Sequence, residues 1–351
     1  MKGTLKKKQS GITLVALVVT IVILLILAGI TIMYTMGENS IFKKAQEAKN
    51  KTEDAIKNEQ EYMNSIDNMI NEYTNGMNTQ TPEVPENPWA KIDRIAKEIA
   101  NDNSITSDST QATGTTEKGE SYDIKVGDIF EVEYNGETRR VRVLGFKHDD
   151  LVDQTVYGGS HTKASISFEF LDFMTGDNYM SMNSSDTNED GWGATQMRKD
   201  LNGYSNSNAS QSGVIGGLGE NLNNKNYIKQ VKKKYIATYN DANSVAICND
   251  YLWMLAASEI VNSGYQAGAY GVAITSEGNQ YKYYQGVTEE WNAVSTNRVK
   301  KTSELGSAYS WWLRSPYVPK NTHFIDIGGT GYTNGSYNAN GTFGVAPGFC
   351  I

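Results

Sequence analysis

Residues 12–36 form an apolar run without a single charged side chain. A helix needs roughly 20 apolar residues to cross the hydrocarbon core of a bilayer, so the run predicts a transmembrane helix. Lys2, Lys6, Lys7 and Lys8 precede it, and positive charge holds that end in the cytoplasm. A secretory signal peptide has a shorter apolar core, of roughly 7–15 residues. We therefore expect a single-pass membrane protein whose C-terminal mass is extracellular.

Residues 8–17 read Lys-Gln-Ser-Gly-Ile-Thr-Leu-Val-Ala-Leu. This segment resembles the N-terminus of type IV prepilins and pseudopilins. The resemblance implies that residues 1–11 are a leader, that a prepilin peptidase cuts between Gly11 and Ile12, and that Ile12 is then methylated. It also implies that the membrane and other pilin subunits are partners. A plain membrane anchor with a basic flank is the alternative.

The fifth residue after the implied cleavage site departs from the pilin pattern. Pilins usually have a glutamate there, which pairs with a neighbour's N-terminal amine during filament assembly, and this chain has Ala16. The departure favours a minor or tip subunit, or a membrane protein that uses the pilin route, over a main structural subunit.

Residues 37–76 continue as an amphipathic, heptad-like pattern that ends at Gly76, which predicts a stalk helix. This helix is either a pilin spine that packs in a filament or a spacer. Residues 77–121 follow as a linker with a short helix over 88–100. We expect that helix to be capped by Asn87 and to dock on the head, and we expect residues 101–121 to be flexible.

Residues 122–351 predict an extracellular head of mixed α+β class. Alternating runs on either side of Asn135-Gly136 indicate a hairpin with a type I′ turn. Residues 165–173, 310–315 and 322–327 are expected as strands, and residues 195–202 and a basic-faced segment over 221–235 as helices.

Four motifs in the head occur in a characteristic order. They are Trp192 with Arg198, then residues 252–259 (Leu-Trp-Met-Leu-Ala-Ala-Ser-Glu), 311–316 (Trp-Trp-Leu-Arg-Ser-Pro) and 344–349 (Gly-Val-Ala-Pro-Gly-Phe). Together they resemble a domain of unknown function found in surface proteins of Clostridia-like bacteria. In that domain the closing motif usually has an arginine where this chain has Ala346. The domain in turn resembles the C-type-lectin-like fold of formylglycine-generating enzymes and phage receptor-binding proteins.

Residues 328–344 consist almost entirely of Gly, Asn, Thr, Tyr and Ser. Antibody paratopes favour the same residues, because Tyr offers stiff amphipathic contact area and Asn and Ser offer adaptable hydrogen bonds. Plain turn chemistry explains the same composition. If the segment binds a surface glycan or protein, the candidate ligand-binding residues are His323, Tyr332, Asn334, Ser336, Tyr337, Asn338 and Asn340.

Several other residues are candidates for structural roles. Trp311, Trp312 and Arg314 line a pocket or belong to the core, in which case Glu259 is the expected partner of Arg314. Cys248 and Cys350 form an extracellular disulfide or remain free thiols, and a catalytic thiol pair is disfavoured. The segment Asp186–Gly191 opens like a calcium loop but has Met197 at its twelfth position, so we expect a polar surface loop and no metal.

Composition and motifs exclude several function classes. Asp and Glu total 40 against 32 Lys and Arg, a net charge of −8, which argues against nucleic acid. The sequence contains no nucleophile elbow, phosphate-binding loop, dinucleotide motif or metal-spaced histidine cluster, so we expect no cofactor and no enzyme. The expected function is adhesion by the head of a pilin-like protein. The alternatives are a structural pilin or pseudopilin subunit and, least favoured, an extracellular enzyme.

Overall fold

The computed structural model describes part of the N-terminal region and most of the head. The described residues are 17–27, 49–50, 52–53, 56–57, 63, 66, 86–205, 208–209, 214–218, 222, 227–238, 240–261, 277–286, 294–332 and 335–351. The chain divides into two compact units, Met1–Val84 and Pro85–Ile351. Gly11, Ile12, Ala16 and most of the expected stalk lie outside the described residues.

In the first unit, residues 17–27 are helical, and so are the described residues between 49 and 66. Lys49 and Glu53 form an ion pair of 3.5 Å between Nζ and Oε1, one helical turn apart. Within the described ranges, no helix is both long and apolar enough to cross a membrane.

The second unit is a β-rich head with short helices. The α-helices whose bounds the structure describes are α1 (Pro88–Asn101), α2 (Gly191–Ala194), α3 (Gln196–Asn202) and α4 (Ala257–Ile260). Its strands are β1 (Gln111–Thr115), β2 (Ser121–Lys125), β3 (Ile129–Tyr134), β4 (Glu137–Phe146), β5 (Asp150–Leu151), β6 (Ile166–Phe170), β7 (Tyr204–Ser205), β8 (Asn208–Ala209), β9 (Val231–Thr238), β10 (Asp241–Asp250), β11 (Trp311–Pro316), β12 (His323–Ile327), β13 (Gly335–Asn338) and β14 (Gly348–Cys350).

The strands form small antiparallel sheets that surround one core. The largest has the order β14-β6-β4-β3, and two three-stranded sheets have the orders β10-β9-β5 and β11-β12-β13. The C-terminal strand β14 pairs with β6, about 180 residues earlier in the chain, with Phe349 opposite Phe168. The head is therefore closed by contacts between distant segments.

The predicted hairpin is confirmed. Strands β3 and β4 pair from Ile129 opposite Arg142 to Tyr134 opposite Glu137. Asn135 has φ 51° and Gly136 has φ 79°, which is the left-handed conformation that a type I′ turn requires at both central residues.

Helix α1 is part of the head core, as its apolar face predicted. The Asn87 side chain accepts a hydrogen bond of 2.9 Å from the Trp89 backbone N–H, and Pro88 occupies the first helical position. The Trp89 ring lies edge-on to Phe168 at 5.6 Å and to Phe349 at 5.9 Å between ring centroids. The helix thus covers the pairing of β6 with β14.

The expectation of a flexible segment over residues 101–121 is wrong. Strands β1 and β2 pair across it, with the buried Ala112 opposite Ile124. Arg94 on α1 reaches Glu120 in the turn of this hairpin (2.8 Å) and Glu86 (2.6 Å). These contacts place residues 85–121 in the same compact unit as residues 122–351.

The expectation of a basic-faced helix over 221–235 is also wrong in its second half. Residues 231–236 lie in β9, where burial alternates from one residue to the next. Lys232 and Lys234 face solvent, whereas Lys233 is buried. Three consecutive lysines therefore occupy two faces of a strand.

Candidate functional site

Strand β13 brings several of the predicted ligand-binding residues together at the edge of a sheet. It pairs with β12, which lies between β13 and β11. His323 is opposite Asn338, and Ser336 is opposite Ile325. Tyr337 projects into solvent and is 52% exposed. The sheet edge therefore presents the residues that the sequence singled out.

The remaining predicted residues lie in the turns that flank β13. Tyr332 is half-buried, and its carbonyl accepts a hydrogen bond of 2.9 Å from the Gly328 backbone N–H. Asn340 is exposed in the turn after β13. Asn334 lies outside the described residues.

Four aromatic rings form a continuous surface beside β13, which we call the aromatic platform: Tyr179, Tyr309, Tyr337 and Phe343. Tyr179 and Tyr309 stack with their ring centroids 4.6 Å apart and their planes 19° apart. Phe343 lies 6.1 Å from Tyr309 and 5.2 Å from Tyr337. Tyr309 is 42% exposed and Tyr337 is 52% exposed, so these two tyrosines offer their rings to solvent.

The platform is held in place by the core. Phe343 packs on Trp312, with 4.6 Å between ring centroids. Trp312 is fully buried, and its Nε1–H donates to the Met180 carbonyl at 2.8 Å. Phe343 and Met180 also exchange backbone hydrogen bonds of 3.0 and 3.1 Å. Because these contacts fix the inner ring, the platform is preorganised.

Polar contacts tie the Asp186 loop to the same edge. Asp186 accepts hydrogen bonds from the Asn338 side-chain amide (2.6 Å) and the Ala339 backbone N–H (3.1 Å). The Asn188 amide donates to the carbonyls of Lys320 (2.7 Å) and His323 (2.6 Å). Asp186 and Asn188, two of the side chains that suggested a calcium loop, are thus engaged within the fold.

His323 contributes a half-buried imidazole ring to this edge. Its Nδ1 lies 2.7 Å from the Thr322 hydroxyl oxygen. Burial lowers the pKa of the imidazole from its ordinary value, and the neighbouring Lys320 acts in the same direction.

Both tryptophans of the 311–316 motif are core residues. Trp311 is fully buried, and its Nε1–H donates to the Arg298 carbonyl at 2.9 Å. Arg314, in the same motif, is also fully buried, and it forms an ion pair with Glu259.

Arg314 and Glu259 belong to a buried charge network that also contains Lys233 and Asp149. Lys233 Nζ lies 2.6 Å from Asp149 Oδ1 and 2.6 Å from Glu259 Oε1. Burial alone would raise the pKa of the Glu259 carboxyl, but the charges of Arg314 and Lys233 outweigh burial and hold it below its ordinary value. The two cations and two anions therefore compensate each other in the interior.

Cys248 and Cys350 are free, buried thiols in the structure. The Cys248 Sγ lies 3.1 Å from an Asp250 carboxylate oxygen, and the Cys350 Sγ lies 3.4 Å from the Ser167 hydroxyl. Burial raises the pKa of both thiols. A reactive cysteine needs a lowered pKa, so neither environment suits a nucleophile.

Sequence comparison identifies two regions of the chain. Residues 6–32 match the prokaryotic N-terminal methylation motif, which supports a pilin-like N-terminus. Residues 172–351, half of the chain, match the family described as Domain of unknown function (DUF6273). The chain belongs to this family. No curated protein and no solved structure matches it.

The DUF6273 match covers less than the compact head. Strands β1 to β6 and helix α1 precede residue 172, yet β6 pairs with β14 inside the matched segment. In this DUF6273 protein the family segment is therefore completed by the 87 residues that begin at Pro85.

Packing accounts for residues of two of the motifs that the sequence analysis singled out in the DUF6273 segment. Trp192 Nε1–H donates to Asp250 Oδ2 at 2.8 Å, and Arg198 Nε–H donates to Asp250 Oδ1 at 2.7 Å, so the first motif converges on one carboxylate. At Gly344, a Cβ atom would lie 2.3 Å from the Phe173 ring. The glycine that opens the closing motif is thus required for close packing.

Proposed function

We propose that this DUF6273 protein is a pilin-like surface protein whose head recognises a partner on another surface through the aromatic platform. One observation carries the proposal: Tyr309 and Tyr337 expose their rings in a contiguous aromatic cluster that a buried tryptophan supports. Rigid aromatic anchors with a polar rim are typical of recognition surfaces.

The polar residues on and next to β13 favour recognition over simple turn formation. Asn340 is exposed in the turn after β13, and His323 on β12 is opposite Asn338 on β13. The rings form a surface beside a strand, which suits an extended partner such as a surface protein or a glycan chain. Exposed aromatic area of this kind is uncommon on a soluble surface without a partner.

The N-terminal part of the proposal rests on the methylation motif over residues 6–32. We propose cleavage between Gly11 and Ile12, a membrane helix over 12–36, a stalk over 37–76 and an extracellular head. Because Ala16 replaces the usual glutamate, we assign a minor or tip position. The proposal includes a C-type-lectin-like fold, which rests on the order of the head motifs, and no catalytic activity.

A structural pilin or pseudopilin is the second candidate. In that case the platform would contact a neighbouring subunit instead of an external ligand. The observation that favours it is the same methylation motif, which pilin subunits of all kinds share.

A binding screen distinguishes the two candidates. The full chain, held in detergent micelles, is tested against an array of glycans and surface proteins, together with the variants Tyr337→Ala and Tyr309→Ala. Ile129→Ala is a matched control, because Ile129 is 54% exposed and lies on β3. A ligand bound by the wild type and the control but lost in both tyrosine variants supports recognition by the platform.

Two outcomes would count against recognition. One is binding that both tyrosine variants retain. The other is an absence of any external ligand, combined with recovery of the protein as the bulk mass of sheared filaments. The second result would favour the structural subunit.

Processing is tested by the mass of the protein from membranes that contain a prepilin peptidase. We expect the mass of residues 12–351 with one added methyl group. Gly11→Val should leave the leader attached, whereas Gly3→Val, a matched change within the leader, should not. An intact leader on the wild type would contradict the proposed processing.

A further inference from the structure

The Asp326 carboxylate lies in the sheet that supports the aromatic platform, and it has no partner within the described part of the chain. Asp326 is 7% exposed. Burial raises the pKa of its carboxyl to about 7, and the hydrogen bond that opposes this effect comes from its own backbone N–H. Buried carboxylates in proteins are nearly always paired, because an unpaired buried charge is costly. The missing partner of Asp326 therefore points to a ligand.

Strand register places this carboxylate on the same face of the sheet as Trp312 and Tyr337. Asp326 on β12 is directly opposite Trp312 on β11 and Gly335 on β13. Opposite residues of antiparallel strands share a face, and so does Tyr337, two residues after Gly335. Phe343 packs on both Trp312 (4.6 Å) and Tyr337 (5.2 Å between ring centroids), so these rings do lie on one face.

Gly335 leaves room for the carboxylate at the edge of the sheet. A Cβ atom on Gly335 would lie 2.2 Å from Asp326 Oδ1 and 2.5 Å from Oδ2. The carboxylate therefore occupies the position that a side chain of the edge strand would take, about 7 Å along the strand from Tyr337. Its oxygens are not among the fully enclosed polar atoms of the described residues, so they are accessible to a group that approaches over Gly335.

Two lysines near this sheet do not compensate Asp326. Burial lowers the pKa of His323, and Lys320 acts in the same direction, but the His323 side chain projects from the other face of β12. Lys301 is bridged through its backbone to Ala308. Within the described residues, neither lysine forms an ion pair with Asp326, so this carboxylate is left for a cation from outside the chain.

A second carboxylate lies at the other end of the platform. Burial raises the pKa of the Tyr179 hydroxyl, and the nearby charge of Asp177 acts in the same direction. Asp177 is exposed. With Asp177 beside Tyr179 and Asp326 on the face of Tyr337, the charges around the rings favour a cationic partner over an anionic one.

The surroundings of Asp326 select an organic cation. An apolar group would leave the carboxylate without a partner. A metal ion needs several ligands, and the described residues include no group of three or more His, Cys, Asp or Glu side chains that could hold one. An ammonium or guanidinium group compensates the negative charge, and the face of an aromatic ring such as that of Tyr337 attracts it as well.

A long basic side chain also fits the depth of the site. The methylene stem of lysine or arginine packs on apolar surface while its charged end extends beyond that surface. Such a stem can lie against the exposed ring of Tyr337 and bring its charge to a carboxylate that is only 7% exposed. A sugar ring would lie flat on the tyrosines, and its hydroxyls would leave the negative charge uncompensated.

We propose that the aromatic platform recognises a lysine or arginine side chain of a protein partner, whose charged group binds the Asp326 carboxylate and whose stem packs on Tyr337. The inference rests on the proposed recognition function, and it names the chemistry that the Tyr337 end of the platform selects.

The test is saturation-transfer NMR at pH 8, where Asp326 is ionised, on the full chain in micelles of an uncharged polyoxyethylene detergent. The probes are the N-acetyl methylamides of lysine and arginine. The same derivatives of norleucine and citrulline are neutral controls, and N-acetylglucosamine represents a glycan. We expect transfer to lysine or arginine, and dissociation constants at least about tenfold higher for the neutral controls, because hydrogen bonds to charged groups are the stronger ones.

Asp326→Asn removes the charge and keeps the shape of the side chain. We expect this variant to bind the basic probes at least about tenfold more weakly. Tyr337→Ala should weaken binding roughly threefold, through the loss of the ring face. Asp177→Asn is the matched control, since it removes an exposed negative charge at the Tyr179 end, and its dissociation constants should stay within about twofold of those of the wild type.

Denaturant unfolding at pH 8 checks the fold of Asp326→Asn. Because the amide replaces a buried charge that has no partner, the variant should unfold at a denaturant concentration no lower than the wild type. A marked loss of stability would show that the carboxylate has a structural partner and would overturn the proposal.

Other results would also overturn it. These are no transfer to either basic probe from the folded wild type, equal binding of charged and neutral probes, and binding that Asp326→Asn or Tyr337→Ala retains in full. Transfer to N-acetylglucosamine alone would assign the platform to a glycan.

Failure of this inference is distinguishable from failure of the proposed function. A ligand on the array that both tyrosine variants lose, but that Asp326→Asn binds like the wild type, would leave recognition by the platform standing and remove the cation. Array binding that both tyrosine variants retain would remove recognition by the platform itself.

Discussion

Arg314 holds both carboxylate oxygens of Glu259 inside the core. Its Nη1 lies 2.6 Å from Oε2 and its Nη2 lies 2.9 Å from Oε1, and neither side chain is more than 1% exposed. A planar guanidinium matches a carboxylate in this two-point geometry, which a lysine ammonium does not. The pair joins β11 to helix α4.

Replacing Arg314 by Met should destabilise the protein by about 3–5 kcal/mol, because Glu259 would keep a buried charge with only Lys233 to balance it. Denaturant unfolding followed by tryptophan fluorescence measures the change. Lys125→Ala is the control: its pair with Asp123 is exposed (3.3 Å), and such pairs contribute about 0–1 kcal/mol. A loss below about 1 kcal/mol in Arg314→Met would contradict the structural role.

Glu277 should make stability depend on pH. Burial raises the pKa of its carboxyl to about 7, and it accepts hydrogen bonds from the Ile236 N–H (3.1 Å) and the Ser315 hydroxyl. Between its ordinary pKa of 4.5 and about 7, the folded state keeps a proton that the unfolded state releases. The stabilisation of the folded state by this proton is complete below pH 4.5 and is lost as the pH rises through 7.

Glu277→Gln should remove this pH dependence. Between pH 5 and pH 8, the free energy of unfolding of the variant should rise by up to about 3 kcal/mol relative to that of the wild type. Unfolding midpoints of both proteins across that range measure the difference. Burial also raises the pKa of Asp326 to about 7, and this residue affects both proteins equally. Parallel stability curves for the two proteins would refute the assignment.

Cys248 and Cys350 should not react with a thiol reagent in the native protein, because both are buried with raised pKa values. In denaturant without reductant, the reagent should titrate two thiols per chain. A count of zero in denaturant would indicate a disulfide, and rapid labelling of the native protein would contradict the burial of the thiols.

The head should require residues 85–121. We expect a chain that begins at Pro85 to fold cooperatively, and a chain that begins at residue 122 to lose its tertiary structure. The second chain lacks Trp89, which packs on Phe168 and Phe349. Trp89→Ala in the full chain should cost about 3–5 kcal/mol. Near-ultraviolet circular dichroism compares the two chains, and a folded 122–351 fragment would contradict this boundary.

Local features of the chain could be predicted because their causes are local. The β3–β4 hairpin follows from Asn135-Gly136, since both residues tolerate the left-handed conformation of the turn. The start of α1 follows from Asn87, whose side chain accepts a hydrogen bond from the Trp89 N–H, and from Pro88, which has no N–H that needs a partner. Likewise, residues 323–327 form a strand within one residue of the predicted bounds.

Residues whose role depends on distant partners were harder to predict. The sequence places Lys233 on a predicted basic-faced helix, but Asp149 and Glu259 provide the charges that allow it to be buried. Tyr179 and Tyr309 were not singled out at all. They reach the platform only because Phe343 and Trp312 bring segments more than 100 residues apart into contact.

The sequence by itself determined the methylation motif, the hairpin, the capped helix and the polar, tyrosine-containing segment before the C-terminus, because each depends on neighbouring residues. Only the tertiary structure decided where the head begins, which lysine is buried and which tyrosines form the platform. Those outcomes depend on desolvation and close packing between segments that the linear chain keeps apart.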